Sequence, residues 1–298
     1  MTRSLIASLR GWGEMVKFSH SVFALPFALM AAVMAGTHLP GRNWPYAGQI
    51  ALIVLCMVAA RSVAMTFNRI VDAGIDARNP RTASRHLPAG RLSFTAAYVL
   101  LGLFFVTFGI GCFGFYFWYE NTWPIMLAGP VLIYLCAYSF AKRFTRWSHF
   151  VLGSAIAMSP VAAWLAVDPG SLGIEALLLM LSVAGWIGGF DIIYACQDIE
   201  IDRAQGLHSL PSRLGPAAAL WIARLAHFIA VSAWVALGVV AGLGSLYAVG
   251  VAVAAALLVT EHRLVRPGEY SKINLAFFTI NGLVSMLLAA MTIVDVHV

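Results

Sequence analysis

Residues 94–116 read FTAAYVLLGLFFVTFGIGCFGFY, a continuous apolar stretch that contains no charged side chain. A bilayer core about 30 Å thick is crossed by about 20 helical residues, so this stretch is long enough to span a membrane as one helix. A membrane β-barrel would instead be built from shorter segments in which apolar and polar residues alternate. The stretch therefore predicts an all-α integral membrane protein.

The rest of the chain has the same character. It is 61% hydrophobic and 11% charged, whereas a soluble domain carries about 25% charged residues, and its mean hydropathy is +0.84. Nine apolar stretches predict nine transmembrane helices: 18–37, 48–67, 94–116, 124–141, 149–167, 172–196, 216–240, 243–260 and 272–294. No linker separates them, so residues 1–298 are expected to form a single membrane domain.

The N-terminal residues 1–17 place apolar side chains among basic ones. This pattern is typical of a short interfacial amphipathic helix, although an unstructured tail has the same composition. The first apolar stretch continues as a full span, which does not match a cleavable signal peptide. The four cysteines fall in or at the ends of predicted spans and lack the spacing of a disulfide framework or a zinc site.

The net charge of +6 does not indicate a nucleic-acid partner, because the basic residues follow the ends of the apolar stretches. The loops on one side of the predicted membrane hold nearly all of them, and those on the other side hold Arg42 alone. The positive-inside rule then places the N-terminus and the richer loops in the cytoplasm. We expect a multi-pass protein of a bacterial inner (plasma) membrane, with its C-terminus outside and no obligatory protein partner.

Two acidic clusters stand at the ends of apolar stretches, both on the predicted cytoplasmic side. The first contains Asn68, Asp72 and Asp76, and the second contains Asp191, Asp198 and Asp202. Residues four apart lie on one face of a helix, and carboxylates crowded on one face repel each other unless a cation lies between them. Mg²⁺ prefers such hard oxygen ligands and is usually shared with substrate phosphates.

Basic residues close to these clusters indicate that an anion is held with the metal. Arg81, Arg85, Lys142 and Arg143 are candidates for charge-assisted hydrogen bonds to phosphate, although such residues also serve only to set topology. Metal, diphosphate and an apolar membrane interior together predict a lipid diphosphate that ionises to an allylic cation. Aromatic side chains of the spans are candidates to face that cation: Phe23, Phe67, Tyr134, Tyr138, Phe190 and Tyr194.

Arg61 and Asp191 lie deeper in their predicted spans than the acidic clusters. Arg61 is seven residues before Asn68 and therefore on nearly the same helical face. It either forms a structural ion pair with an acid or binds the carboxylate of an acceptor in bidentate fashion. Asp191 lies about two turns before Asp198 and is a candidate to orient or deprotonate an acceptor hydroxyl.

The two clusters also indicate an internal repeat. One constant offset superposes Asn68, Asp72 and Asp76 on Tyr194, Asp198 and Asp202, and a basic loop that contains proline follows each cluster. Duplicated halves with functional sites at corresponding positions are common in polytopic membrane proteins.

These residues resemble the UbiA superfamily of membrane prenyltransferases. The resemblance is carried by the Asn68–Asp72–Asp76 run, the Arg81-Thr82…Arg85…Leu87-Pro88-Ala-Gly90 loop, the Tyr138-Ser-Phe-Ala-Lys142-Arg143 segment and the cluster from Asp191 to Asp202. It extends over most of the chain. Within the superfamily it is strongest to members that prenylate 4-hydroxybenzoate or dihydroxynaphthoate.

The resemblance implies nine helices around a central cavity and transfer of a polyprenyl group from polyprenyl diphosphate to an aromatic acid. It implies that Mg²⁺ is bound through Asn68, Asp72, Asp76, Asp198 and Asp202. It also implies that Arg81, Arg85 and Lys142 hold the diphosphate. Arg61 and Asp191 would then position the aromatic acid. The acceptor stays open among 4-hydroxybenzoate, 1,4-dihydroxy-6-naphthoate, haem and a chlorophyll precursor; Arg61 favours a carboxylated aromatic but does not separate the first two. Many relatives have Asp where this chain has Arg69, which removes one carboxylate from the first cluster.

Two functions of other classes compete with this prediction. A cation-coupled transporter explains acidic residues at membrane depth but not their pairing with basic loops in both halves. A CDP-alcohol phosphotransferase also uses paired aspartates in membranes, but its longer Asp-Gly…Ala-Arg…Gly signature is absent from this sequence.

Overall fold

A computed structural model describes residues 21–298, and all its regular elements are helical. Eight helices in this range are long and apolar enough to cross a membrane, and Ser21–Gly36 is a shorter apolar helix. The predicted interfacial segment 1–17 and the first residues of the predicted span 18–37 lie outside the described residues. The prediction of an all-α polytopic membrane protein is confirmed.

The helices follow one another along the chain without any intervening strand in the described range. Their bounds are α1 (Ser21–Gly36), α2 (Ala47–Val71), α3 (Ala73–Ala77), α4 (Phe94–Tyr119), α5 (Trp123–Ala137), α6 (Ala141–Phe144), α7 (Ser148–Val167), α8 (Ile174–Ala195), α9 (Ile199–Ala204), α10 (Leu210–Leu214), α11 (Pro216–Val240), α12 (Ser245–Leu264) and α13 (Asn281–Asp295). Short 3₁₀ turns cover Tyr138–Phe140, Pro169–Ser171 and Cys196–Asp198, and a π-helix covers Leu275–Ile280.

The chain divides into two compact units, one containing residues 54–139 and the other residues 22–53 and 140–298. A single domain over residues 1–298 therefore stays a prediction. In the first unit, α2, α4 and α5 pack around a core that includes Val63, Phe108 and Leu132. A smaller core of Ala73, Leu87, Leu92 and Ala97 fixes the loop that follows the first acidic cluster.

In the second unit, α8 is the most enclosed helix, and glycines let its neighbours approach. A Cβ atom on Gly153 of α7 would lie 2.5 Å from the carbonyl oxygen of Ala184 in α8. One on Gly185 of α8 would lie 2.9 Å from the carbonyl oxygen of Ala226 in α11. Such contacts are possible only without a side chain, and small residues are the usual means of close helix packing in membranes. Asp191 of the second cluster therefore lies on a tightly held helix.

The last predicted span, 272–294, is not a uniform α-helix. The side chain of Asn281 donates from Nδ2 to the carbonyl oxygen of Ala276 at 3.1 Å and to Glu261 Oε1 at 2.8 Å. Its Oδ1 accepts a bond from Trp186 Nε1 at 2.7 Å. A side chain that inserts into the backbone ladder distorts a helix locally, and this one stands at the end of the π-helix Leu275–Ile280. Hydropathy does not predict such a distortion, because it depends on partners in distant helices.

Candidate active site

The first acidic cluster lies where α2 passes into the short helix α3. The α-helix ends at Val71 and Asp72 precedes α3, yet the four-residue backbone pattern continues through the junction. Asp72 N donates to Asn68 O at 2.9 Å, and Asp76 N donates to Asp72 O at 2.8 Å. Asn68 Nδ2 also donates to Asp72 Oδ2 at 2.8 Å. The break in the helix therefore leaves the predicted spacing of the three side chains intact.

Asp76 is a buried carboxylate surrounded by cations. Its side chain accepts bonds from Arg85 Nη1 at 2.7 Å on both oxygens, and Arg69 Nη1 lies 3.9 Å from Oδ2. The carboxylate is thus paired with one guanidinium group and lies close to a second. Arg69, which departs from the usual family residue, thus adds a positive charge beside the cluster. Arg85, a predicted diphosphate ligand, is placed directly at the first cluster.

Hydrogen bonds of the loop after the first cluster hold this loop beside the cluster. Thr82 is buried, and its Oγ1 donates to the carbonyl oxygen of Asp76 at 3.0 Å. The backbone N–H of Arg81 donates to Asn79 Oδ1 at 2.9 Å, and Arg81 itself is exposed. This loop therefore presents Arg81 beside a cluster whose geometry it helps to fix.

Arg61 lies in α2, inside a candidate membrane span, with its side chain partly buried. Its buried Nε has no hydrogen-bond partner among the described residues, and no described carboxylate forms an ion pair with it. The guanidinium group of Arg61 interacts electrostatically with the phenol of Tyr138, and so does that of Arg69. The structural ion pair, one of two interpretations of Arg61 from the sequence, is therefore not formed within the described chain.

The second cluster repeats the local arrangement of the first. A 3₁₀ turn, Cys196–Asp198, separates α8 from the short helix α9, and Asp198 and Asp202 are both buried. Ser209 Oγ, from the loop after the cluster, donates to Asp202 Oδ2 at 2.7 Å. A hydroxyl from the following loop thus binds the last aspartate of each cluster, at the backbone of Asp76 and at the side chain of Asp202. This similarity agrees with the predicted repeat at the level of local structure.

Asp191 has a partner that the sequence did not reveal. His149, fully buried at the start of α7, places Nδ1 2.6 Å from Asp191 Oδ2. His149 Nε2 accepts a bond from the backbone N–H of Leu210 at 3.3 Å. The sequence offers one signal, a histidine at the beginning of an apolar stretch, but nothing in its spacing connects it to a residue 42 positions later.

Three further predicted substrate-binding residues lie in the second unit: Lys142, Arg143 and Tyr194. The carbonyl oxygen of Lys142 accepts a bond from His208 N at 2.7 Å, and Arg143 lies over the ring of Phe140 at 5.2 Å. The ring of Tyr194 packs against Phe277 with centroids 4.3 Å apart. Phe23 and Phe190 pack on the same Phe277 at 5.5 and 5.1 Å. These rings form one aromatic cluster that includes three of the predicted cation-facing residues.

The donor set of both clusters fits Mg²⁺ chemically. The side chains offer carboxylate and amide oxygens, which are hard ligands, and three of the aspartates are buried. Within either unit, no three His, Cys, Asp or Glu side chains of the described chain come close enough to hold a metal ion by themselves. Mg²⁺ usually takes one or two carboxylates and completes its shell with substrate phosphates and water.

Residues 24–283 match the UbiA prenyltransferase family. The chain belongs to this family. It is therefore an enzyme, a prenyltransferase embedded in the membrane by multiple helices, as the sequence predicted. Membership decides against the transporter and the CDP-alcohol phosphotransferase.

Three relatives illustrate the match. The chain is 29% identical over 243 residues to the 4-hydroxybenzoate octaprenyltransferase of Chromohalobacter salexigens, covering 81% of this chain and 78% of that one. It is 29% identical to a UbiA homolog from Aeropyrum pernix K1 solved in the apo state, with a TM-score of 0.80 over 93% of this chain and 98% of that one. A UbiA homolog from Archaeoglobus fulgidus, solved with GPP and Mg²⁺, shares the fold at 17% identity, with a TM-score of 0.67 over 97% of this chain and 100% of that one.

Proposed function

We propose that this enzyme transfers a polyprenyl group from polyprenyl diphosphate to the ring of 4-hydroxybenzoate in quinone biosynthesis and releases diphosphate. The observation that carries the choice of acceptor is Arg61, whose buried Nε has no partner in the described chain. A cation at membrane depth is costly unless it is paired, and a carboxylated aromatic acid supplies the missing charge. The 4-hydroxybenzoate octaprenyltransferase among its relatives supports the same acceptor.

The proposed metal ligands are Asn68, Asp72, Asp76, Asp198 and Asp202. Oxygen donors of this kind suit Mg²⁺, which, when bound, neutralises charge on the diphosphate leaving group. The UbiA homolog solved with GPP and Mg²⁺ supports this choice of ion. Arg81, Arg85, Lys142 and Arg143 are proposed to donate charge-assisted hydrogen bonds to the diphosphate oxygens.

The bond between the prenyl carbon and the diphosphate oxygen breaks, and the ring carbon next to the phenol hydroxyl forms the new carbon–carbon bond. Asp191 accepts a hydrogen bond from that hydroxyl, which increases the electron density of the ring carbon that attacks. The attacked ring carbon then loses its proton to the released diphosphate, which restores the aromatic ring. Aromatic side chains, Tyr138 and Tyr194 among them, exclude water and stabilise the allylic cation with their ring faces.

Product mass spectrometry on membranes that contain the protein tests this proposal. Geranyl diphosphate and Mg²⁺ are supplied with 4-hydroxybenzoate and 1,4-dihydroxy-6-naphthoate together. We expect geranylated 4-hydroxybenzoate, its loss when EDTA removes the metal, and its return when Mg²⁺ is added in excess. A product of the naphthoate alone would reassign the enzyme to the menaquinone pathway. No prenylated product with either acid would refute the proposed acceptor class.

A further inference from the structure

The hydrogen bonds of His149 determine its protonation. A backbone N–H can only donate, so the bond from Leu210 N at 3.3 Å requires an unprotonated Nε2. The ring proton therefore lies on Nδ1, from which it is donated to Asp191 Oδ2 at 2.6 Å. His149 is thus held as one neutral tautomer, with both nitrogens used and no exposed surface.

The bond to His149 leaves one oxygen of Asp191 for another partner. The Asp191 side chain is 20% exposed, while that of His149 is 0% exposed. Oδ1 of Asp191 makes no hydrogen bond to another described residue. The carboxylate is therefore fixed on one side by a buried imidazole and presents its second oxygen on the other.

His149 also connects this carboxylate to the loop of the second cluster. Leu210 begins α10, and the residue before it, Ser209, caps that helix and donates to Asp202 Oδ2 at 2.7 Å. A short chain of contacts thus runs from Asp191 through His149 to the loop that holds Asp202. His149 therefore contacts both the carboxylate of Asp191 and the loop that binds Asp202.

We propose that His149 is a positioning residue that orients Asp191 toward the acceptor hydroxyl. The proposal rests on the proposed function, because it assumes that Asp191 contacts the aromatic acceptor. Its physical basis is that a carboxylate hydrogen-bonded to a rigid, buried donor loses the rotational freedom of its side chain. Partners that orient metal ligands in this way contribute about 10–100-fold to affinity or activity, and we expect an effect of that size for a partner that orients Asp191.

Two variants of His149 separate orientation from packing. His149→Leu has similar size but can neither donate nor accept, and we expect kcat/KM for the aromatic acid to fall about 10–100-fold. His149→Gln carries an amide that can donate to Asp191 and accept from Leu210 N, and we expect it to retain most of the activity. In an Asp191→Asn background, His149→Leu should add little further loss, because the two residues act as one unit.

The outcomes distinguish the alternatives. Equal losses of kcat/KM in His149→Leu and His149→Gln would show that His149 acts only by packing. A full additional loss of kcat/KM from His149→Leu in the Asp191→Asn background would show the same. If the wild-type protein prenylates neither acid, the proposed function fails, and imidazole ¹⁵N spectra then test the pair alone. We expect one imidazole with a protonated Nδ1 that is lost in His149→Gln and shifted in Asp191→Asn. An imidazole that does not respond to Asp191→Asn would overturn the proposal.

A second observation is a pocket of about 480 Å³ whose lining contains none of the predicted site residues, although it begins at Phe144, directly after Arg143. We call it the interfacial pocket; it is lined by Phe144, Thr145, Arg146, Trp147, His208 and Arg213. It contains two arginines and no acid. Pockets of this volume accommodate small ligands, and two guanidinium groups select an anion with several oxygens.

The interfacial pocket lies where candidate membrane spans end. Phe144 is the last residue of one span, Trp147 immediately precedes the next at Ser148, and Arg213 precedes a third at Pro216. Phe144 is 78% exposed and Trp147 is 45% exposed, as expected for aromatic residues at a membrane–water boundary. Basic pockets at this depth on the cytoplasmic side bind anionic lipid headgroups. We propose that the interfacial pocket binds the phosphate of an anionic phospholipid whose acyl chains lie against Phe144 and Trp147.

Binding of short-chain phosphatidylglycerol to the detergent-solubilised full chain tests this site. The double variant Arg146→Gln/Arg213→Gln should bind at least about tenfold more weakly, since charge-assisted hydrogen bonds are lost. Arg263→Gln/Arg266→Gln is the matched control, because it removes the same charge from exposed residues outside the pocket and should bind like the wild type. Equal weakening in both variants, or no binding at all, would overturn the proposal. Glycerol phosphate binding as tightly as the lipid would identify a site for soluble phosphates instead.

Discussion

At the scale of single residues, Arg61 makes the choice of acceptor testable. Arg61→Ala removes the proposed carboxylate partner, and the loss of charge-assisted hydrogen bonds should raise KM for 4-hydroxybenzoate about 10–100-fold. KM for the prenyl diphosphate should change little, because Arg61 is not a proposed diphosphate ligand. Steady-state kinetics with each substrate varied in turn provides the measurement.

The uncharged analogue 4-hydroxybenzamide is the control for this experiment. Without a carboxylate, it should react equally slowly with the wild type and with Arg61→Ala. If KM for both substrates rises by the same factor in Arg61→Ala, Arg61 supports the structure of α2 rather than the acceptor.

The acidic clusters provide a second comparison, within one short segment. Asp198 is buried, whereas Glu200, two residues later in α9, is exposed. Asp198→Ala should lower kcat/KM by about 100-fold or more, as expected when charge stabilisation of a leaving group is lost, and so should Asp72→Ala. Glu200→Ala, which removes an equal charge two residues further along the chain, should stay close to wild type in the same prenyl-transfer assay. Full activity in Asp72→Ala or Asp198→Ala would contradict the proposed metal ligands.

At the scale of helices, the α7–α8 contact connects packing to the site. Gly153 lies one turn after His149 on α7, and its missing side chain lets the backbone of α8 approach near Ala184 and Gly188. Gly153→Ala would force a methyl group to within 2.5 Å of the Ala184 carbonyl oxygen. Overpacking of this kind costs about 1–3 kcal/mol. We expect a lower thermal midpoint in detergent and, because the His149–Asp191 bond spans the same two helices, lower activity as well.

Gly109→Ala provides the matched control for the α7–α8 contact. Gly109 is in the interior of α4, and an added Cβ there would contact nothing within 4 Å. Alanine has the higher helix propensity by up to about 1 kcal/mol, so the thermal midpoint should hold or rise. A Gly153→Ala protein as stable and active as Gly109→Ala would show that the two helices can separate without consequence.

The same scale shows what the sequence could predict. The apolar stretch 216–240 coincides with α11, Pro216–Val240, because a long run without charge can satisfy its backbone in a membrane only as a helix. The local arrangement of the acidic residues could also be predicted, since their four-residue spacing depends only on neighbours along one helix. The roles of His149 and Asn281 could not be predicted, because nothing in the spacing of either residue points to its partner. Their partners, Asp191 and Trp186, are 42 and 95 residues away, and only tertiary packing brings them together.

At the scale of the whole molecule, the distribution of charge predicts orientation in the membrane. The loop that contains Arg42 is predicted to face outside, as is the C-terminus. Within the second unit, these two regions meet: the ring of His297 stacks on Trp44 at 4.3 Å, and His297 Nε2 lies 3.0 Å from the carbonyl oxygen of Asn43. Asp295 accepts bonds from the N–H groups of Gly244 and Tyr247, at the turn between α11 and α12. The C-terminus and both loops therefore share one end of this unit.

Reporter fusions test the predicted orientation. Alkaline phosphatase fused after Val298 should be active, because it folds only outside the cytoplasm, and green fluorescent protein fused there should be dark. A cysteine introduced at Asn43 should react with a membrane-impermeant maleimide in intact cells, whereas one at Ser84, in the basic loop after the first cluster, should react only after lysis. Because Asn43 and His297 are in contact, the fusion and the Asn43 label must report the same side. Labelling of the cysteine at Ser84 in intact cells would contradict the predicted orientation. It would place the first acidic cluster outside, away from a cytoplasmic supply of prenyl diphosphate.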